Sequence, residues 1–245
     1  GLSAILMIPG VITPFASSMY ASNQREKFKA LYYFSLKASM LLIIIWCTGV
    51  FIWGEFALRF WIGPGHFLGY GILIPLLITS ILEVHHSINA TFVWSSGVWP
   101  FATTTIISGV LNVTFVYIFS KTIGIPGLAI GTMIAQLVTN NWYTVYVNLK
   151  RTAIKFKEYQ RNILVPFSIF GLLLLLLSWS IRMFIQRRIF VGWSFRNLTG
   201  QEIVSLLTGI TVVCLFSVIT FYFFLLSNNE KKYIATLYLN HKKQI

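Results

Sequence analysis

One carboxylate sits well inside an apolar run. Glu83 lies in the stretch YGILIPLLITSILEVHHSINATFVW at positions 70–94. Thr79, Glu83 and Ser87 recur every four residues, so a helix carries them on one face, with His86 beside them and His85 pointing elsewhere. An unpaired carboxylate at the centre of a lipid-embedded helix costs about 2.5–3.5 kcal/mol, so it must be protonated, paired or hydrated. Two uses fit that requirement. Glu83 and His86 serve proton or cation coupling or touch the polar part of a cargo, or Glu83 is a neutral, hydrogen-bonded structural group near the cytoplasmic end of its helix.

Uncharged polar stripes continue in the next two apolar segments. Thr104, Ser108 and Asn112 fall at spacing four, as do Thr132, Gln136 and Asn140. Such stripes line a water-filled cavity or hydrogen-bond neighbouring helices, and both uses stay open for each residue. Gly127, Gly131 and Ala135 form a smooth face that predicts close helix packing. Lys37, early in another apolar segment, either snorkels to the cytoplasmic headgroups or points into a cavity and attracts phosphate. The candidate pathway residues are therefore Glu83, His86, Lys37, Ser108, Asn112, Gln136 and Asn140.

No catalytic constellation accompanies them. The sequence holds no Gly-rich phosphate loop, no GxSxG elbow and no HExxH. All six acidic residues are Glu, and the absence of Asp removes most phosphoryl-transfer and magnesium chemistry. One His beside one Glu is too few ligands for a metal site, and Cys47 and Cys214 have no metal spacing. They read as small apolar packing residues. The expectation is a chain with no catalytic residues, no metal and no cofactor.

The elements that must position these residues follow from composition. Soluble domains carry about 25% charged residues. Here charged residues are 10% and hydrophobic ones 56%. Runs such as LLIIIWCTGVFIW (41–53) and GLLLLLLSW (171–179) place most of the chain in lipid. A spanning helix needs about 20 mostly apolar residues. Seven segments qualify: 2–21 (with Pro9 and Pro14), 30–53, 70–94, 100–120, 125–147, 163–184 and 203–226. The fold expected is an all-α, polytopic transmembrane bundle. Residues 1–150 hold five spans, 151–226 two more with interfacial connectors, and 227–245 a basic tail.

Positive charge orients the bundle. Of the 19 Lys and Arg, twelve fall in three stretches: Arg25, Lys27 and Lys29; Lys150, Arg151, Lys155, Lys157 and Arg161; and Lys231, Lys232, Lys242 and Lys243. The opposite side would hold Arg59, Lys121, Arg182, Arg187, Arg188 and Arg196. Cytoplasmic loops collect Lys and Arg, so the richer side, the neutral turn 95–99 and the C-terminus are expected in the cytoplasm. That account of the basic excess needs no nucleic acid. The outer connectors 54–69 (Phe56, Phe60, Trp61, Phe67) and 186–200 (Phe190, Trp193, Phe195) suit the headgroup layer, and 151–162 reads as a basic interfacial helix.

Four stretches together resemble a known family. GIPGLAIGTMIAQLV (124–138) resembles the "G-hydrophobic-x-G-A-A-x-A-T" helix start of polysaccharide flippases. Asn112 in SGVLNVTFVYIF (108–119) resembles the helix before that motif. LRFWIGPGHF (58–67) resembles the family's outer "L-x-L-W-hydrophobic-G" segment, and IPGVITPFASSMYASNQREK (8–27) its Pro-containing helix running into a basic turn. These features resemble the O-antigen (Wzx-type) flippase branch of the multidrug/oligosaccharidyl-lipid/polysaccharide exporter superfamily. The resemblance covers about residues 1–150, and the last two helices by position only.

That resemblance implies about fourteen helices in two lobes with cytoplasmic termini, of which this chain would be the last seven. The chain opens at Gly1 in mid-hydrophobic sequence, so an N-terminal lobe is expected to precede it. The implied activity is translocation of a polyprenyl-diphosphate-linked oligosaccharide across the bacterial plasma (inner) membrane by alternating access, for surface polysaccharide biosynthesis. The implied partners are membrane lipid, that substrate and the missing lobe. The competing readings are a cation-coupled multidrug or small-molecule antiporter of the same superfamily, and a membrane-embedded polysaccharide polymerase or acyltransferase.

Overall fold

A computed structural model describes residues 1–188, 194–195 and 198–226; of Arg188, Ser194 and Phe195 it describes the backbone alone. The helices, in chain order, are α1 (Leu2–Ile5), α2 (Ile8–Ala21), α3 (Arg25–Trp61), α4 (Tyr70–Trp94), α5 (Ala102–Ile123), α6 (Pro126–Val138), α7 (Asn140–Thr152) and α8 (Phe156–Tyr159). A π-helical turn (Gln160–Leu164) leads into α9 (Val165–Arg188). Two-residue strands β1 (Ser194–Phe195) and β2 (Leu198–Thr199) pair antiparallel before α10 (Gly200–Thr220), which ends in a second π turn, Phe221–Leu225. Phe190, Trp193, Arg196 and the basic tail 227–245 lie outside the described residues.

Among the described residues, six helices are long and apolar enough to cross a membrane. The protein is a multi-pass, all-α membrane bundle. Five of the seven expected spans are close to their predicted positions. The second is longer. α3 runs for 37 residues, about 55 Å at helical rise, against a hydrocarbon core of about 30 Å. It absorbs the basic turn at Arg25–Lys29 and the aromatic end at Phe56, Phe60 and Trp61, so the outer connector shrinks to 62–69.

The expected span 125–147 is divided into two helices, α6 and α7, with only Thr139 between them. Thr139 leaves helical geometry (φ −116°, ψ −81°) between α6 and α7. The polar run Thr139–Asn140–Asn141 offers the backbone other partners. The Thr139 hydroxyl donates to the Ala135 carbonyl at 2.6 Å, and Asn141 Nδ2 donates to the Gln136 carbonyl at 3.3 Å. The Ala135 carbonyl also keeps the Thr139 N–H at 3.2 Å, so side-chain donors gather on the last carbonyls of α6 where the helix ends. The expected basic interfacial helix at 151–162 is also absent as a unit. α7 ends at Thr152, Ala153 turns in the left-handed region (φ 53°), and the stretch from Phe156 forms the first turns of the rod that becomes α9.

α3 is the central post. α2, α4, α9 and α10 pack against it. Its buried face carries Phe28, Tyr32, Leu36, Ile43, Ile52 and Trp53. At its N-terminal end Phe28 and Tyr32 meet Phe92 of α4 edge to face, at 5.1 and 5.2 Å between ring centroids. At the other end three contacts tie α3 to the last two helices. Trp53 Nε1 donates to Ser205 Oγ at 3.2 Å, Arg182 donates to the Ile52 carbonyl at 2.7 Å, and Arg59 pairs with Glu202. Glu202 also closes a capping box with Thr199, which starts α10.

Lipid tails are as apolar as leucine, so burial alone does not draw such helices together, and close backbone approach counts for more. The stripe read from sequence supplies it. A Cβ on Gly127 would stand 2.2 Å from the Phe119 carbonyl group, and one on Gly131 2.6 Å from the Val116 nitrogen. Both obstacles are α5 backbone. Gly209 does the same for a side chain, since its Cβ would stand 2.1 Å from the Trp53 ring.

Candidate functional site: a polar ladder between helices 4, 6 and 7

The candidate polar residues converge on one seam. α4 runs parallel to α6 and α7, and three rungs cross between them in the same order along each chain. Gln136 Nε2 donates to Glu83 Oε2 at 2.9 Å. The Thr144 hydroxyl lies 2.9 Å from His86 Nδ1 and 2.6 Å from the Asn140 carbonyl. With its proton committed to that carbonyl, the hydroxyl accepts from His86 as the Nδ1–H tautomer. Asn148 Nδ2 donates to Asn89 Oδ1 at 2.9 Å. On α5, Ser108 Oγ accepts from Asn140 Nδ2 at 3.1 Å, which ties a third helix to the seam.

The third rung extends into a buried network. Asn89 is fully buried; its Oδ1 also accepts from the Tyr32 hydroxyl at 2.8 Å, and its Nδ2 donates to the His85 carbonyl at 2.8 Å. The His85 ring points to the other side of α4 and pairs through Nε2 with the Tyr159 hydroxyl. The rows on α4 and on α6–α7 differ in step. Glu83, His86 and Asn89 fall every three residues, whereas Gln136, Thr144 and Asn148 follow a step of four with Asn140 between.

Local structure explains why these side chains meet. The break at Thr139 restarts the helix, so α7 presents Thr144 and Asn148 to α4 and Asn140 to Ser108 of α5, while α6 keeps Gly127 and Gly131 against α5. The ladder also has spare capacity. Thr79 Oγ1, Asn112 Oδ1 and Gln136 Oε1 are buried oxygens without a hydrogen-bond partner among the described residues. Thr79 stands one turn from Glu83, and Gln136 is its direct partner. Glu83 is held by one amide, with unfilled oxygen acceptors near it, so the site has room for further hydrogen-bond donors.

Of the seven candidates read from sequence, Glu83, His86, Ser108, Gln136 and Asn140 are joined by these bonds. Asn112 lies on the Ser108 face of α5, one turn further along. Lys37 belongs elsewhere. It is 5% exposed, and its ammonium stands 5.8 Å from the Tyr33 ring centroid. Tyr33 in turn donates to Glu158 at 3.0 Å. Tyr32, Asn89, Thr144, Asn148 and Tyr159 were not anticipated. The readable signal was the i, i+3 row that Asn89 continues from Glu83 and His86.

No protein-family profile matches the sequence, and no curated protein does. A search of solved structures finds similarity to the lipid II flippase MurJ in its inward closed conformation, with a TM-score of 0.58 at 18% identity. The match covers 91% of this chain and 48% of that one, so the chain spans about half the length of the flippase it resembles. At that identity the likeness is one of fold: this chain's bundle of apolar helices is arranged like part of a MurJ-type transporter.

Proposed function

We propose that this chain is the C-terminal lobe of a flippase that turns a polyprenyl-diphosphate-linked oligosaccharide from the inner to the outer leaflet of a bacterial plasma membrane, serving surface polysaccharide biosynthesis. The observation that carries the reading is the fold likeness to a lipid II flippase over 91% of the chain. The four flippase-like stretches in the sequence, carried mainly on α2, the α3–α4 connector, α5 and α6, support it. In this reading residues 1–150 form the lobe, 151–226 add two helices to it, and 227–245 trail in the cytoplasm. A second lobe, outside this chain, completes the cavity and supplies most of the charge for the diphosphate. The protein is a transporter and not an enzyme.

The ladder has a defined place in that mechanism. Rocking of two lobes alternates the exposure of a site near the bilayer midplane. Glu83, Gln136 and Asn140 offer hydrogen bonds to a sugar, or a protonation site that couples the rocking to an ion gradient. The test uses the full-length protein in liposomes with a head-labelled polyprenyl-diphosphate oligosaccharide. External dithionite bleaches the outward-facing label of empty liposomes, about half of a symmetric population. Wild-type protein is expected to expose the remainder over time. A bleached fraction equal to that of empty liposomes, under an imposed ion gradient of either direction, would refute the flippase reading.

A further inference from the structure

A lipid-facing groove lies beside the ladder, and nothing above uses it. It consists of two adjoining cavities. One, of about 690 Å³, is bounded by α7, α8 and α4; Trp142, Tyr146 and Phe156 at its mouth are each more than half exposed. The other, of about 680 Å³, lies between α3, α4 and the start of α9. Leu82, His85 and Leu164 line both, so the two form one trough. Each cavity falls in the roughly 300–1,000 Å³ range of ordinary ligand sites.

The trough is mostly apolar, with His85 at its neck and Lys150 at one end. Lys150 lines the first cavity, and Phe156 in the same wall is flanked by the exposed Lys155 and Lys157. Trp142 and Tyr146 stand two turns and one turn before Lys150 on α7, and amphipathic rings favour the headgroup level. An apolar trough opening to lipid, rimmed by Trp, Tyr and Lys, is complementary to a molecule with a negative head and hydrocarbon tails. On α7 the groove uses Trp142, Val145, Tyr146 and Leu149, whereas the ladder uses Asn140, Thr144 and Asn148. The two sets occupy different faces of the helix, so an occupant of the groove lies away from the rungs themselves and meets the polar network at Asn141, His85 and Tyr159.

We infer that this groove is a binding site for an anionic phospholipid of the cytoplasmic leaflet, with its phosphate at Lys150 and an acyl chain passing Leu164 into the second cavity. The inference rests on the orientation proposed above, which places Lys150 at the cytoplasmic surface, and not on transport. An acyl chain there would brace α4 against α7 and α9 while the seam stays free for cargo.

The test is native mass spectrometry of the purified full-length protein titrated with phosphatidylglycerol or phosphatidylcholine of matched chains. Wild-type protein is expected to retain phosphatidylglycerol more tightly. Lys150→Gln should weaken phosphatidylglycerol about fivefold, the worth of one lysine at a membrane surface, and leave phosphatidylcholine unchanged. Lys27→Gln, which removes a basic residue outside the groove, should change neither. Leu164→Trp, at a position 38% exposed, should weaken both lipids by blocking the neck. Equal retention of the two lipids by wild-type protein, or equal effects of Lys150→Gln and Lys27→Gln, would overturn the inference. So would displacement of phosphatidylglycerol by an equimolar polyprenyl phosphate, which would assign the groove to the tail of the cargo. None of these readouts involves flipping, so a failed transport assay leaves them unaffected.

Discussion

The same substitution at two glycines should move stability in opposite directions. A Cβ at Gly131 would stand 2.6 Å from the Val116 nitrogen, 2.7 Å from its Cα and 2.8 Å from the Phe115 carbonyl carbon. An unstrained contact needs about 3.5 Å or more, so α6 must back away from α5 by close to an ångström. The obstacle is helix backbone on both sides, and no side chain can rotate to relieve it. Overpacking of this kind costs about 1–3 kcal/mol, and Gly131→Ala belongs at the upper end. At Gly109, on α5, a Cβ meets nothing within 4 Å. There Gly109→Ala gains helix propensity, up to about 1 kcal/mol. Thermal unfolding of the purified full-length protein is the assay. At about 3 °C per kcal/mol for a chain of this size, Gly131→Ala should fall by about 6–9 °C and Gly109→Ala should hold or rise slightly. A Gly131→Ala protein as stable as wild type would refute the close α5–α6 approach on which the position of Gln136 depends.

Asn89→Ala should destabilise more than Asn112→Ala, by about 2 kcal/mol against less than about 1, because it strips the Tyr32 hydroxyl and Asn148 of a buried partner; equal melting shifts would contradict the network. Glu83→Gln keeps the shape and one hydrogen bond to Gln136, so melting should stay within about 2 °C of wild type while cargo flux falls; wild-type flux would make this carboxylate a structural group only. In a background lacking Cys47 and Cys214, a cysteine at His66 should react with an impermeant thiol reagent in intact cells and one at Lys155 should not. The reverse pattern would invert the topology and move the Lys150 end of the groove to the outer leaflet.

Much of the bundle is legible because lipid imposes a length. Twenty apolar residues must become a helix in hydrocarbon, and α2, α4, α5, α9 and α10 follow directly. The failures arise where the determinant is a local hydrogen bond. Thr139 breaks the fifth segment with neither proline nor glycine, amid side-chain hydrogen bonds to the last α6 carbonyls that hydropathy does not register. α3 outruns its apolar core because Arg25–Lys29 and Glu55–Trp61 continue a helix through the headgroup layer, where charge is no obstacle. The seam was half legible for a related reason. Gln136 and Asn140 share a stripe at helical spacing, and so do Thr79 and Glu83. The pairing of Glu83 with Gln136 depends on α4 running parallel to α6, a fact of packing. Asn89 stands off the every-four stripe of Thr79, Glu83 and Ser87, and Asn148 lies just beyond the expected span 125–147. Their bond needed the two helices side by side.

The central claim is that the full-length protein carries a lipid-linked oligosaccharide to the outer leaflet. The direct measurement is made in cells from which the protein can be depleted, by adding a membrane-impermeant glycosidase to intact spheroplasts and recording the fraction of polyprenyl-diphosphate oligosaccharide that it trims. Depletion should leave that lipid in the cytoplasmic leaflet and protected, and re-expression of the wild-type chain should restore trimming. An unchanged trimmed fraction after depletion, with the total lipid-linked pool intact, would contradict the account.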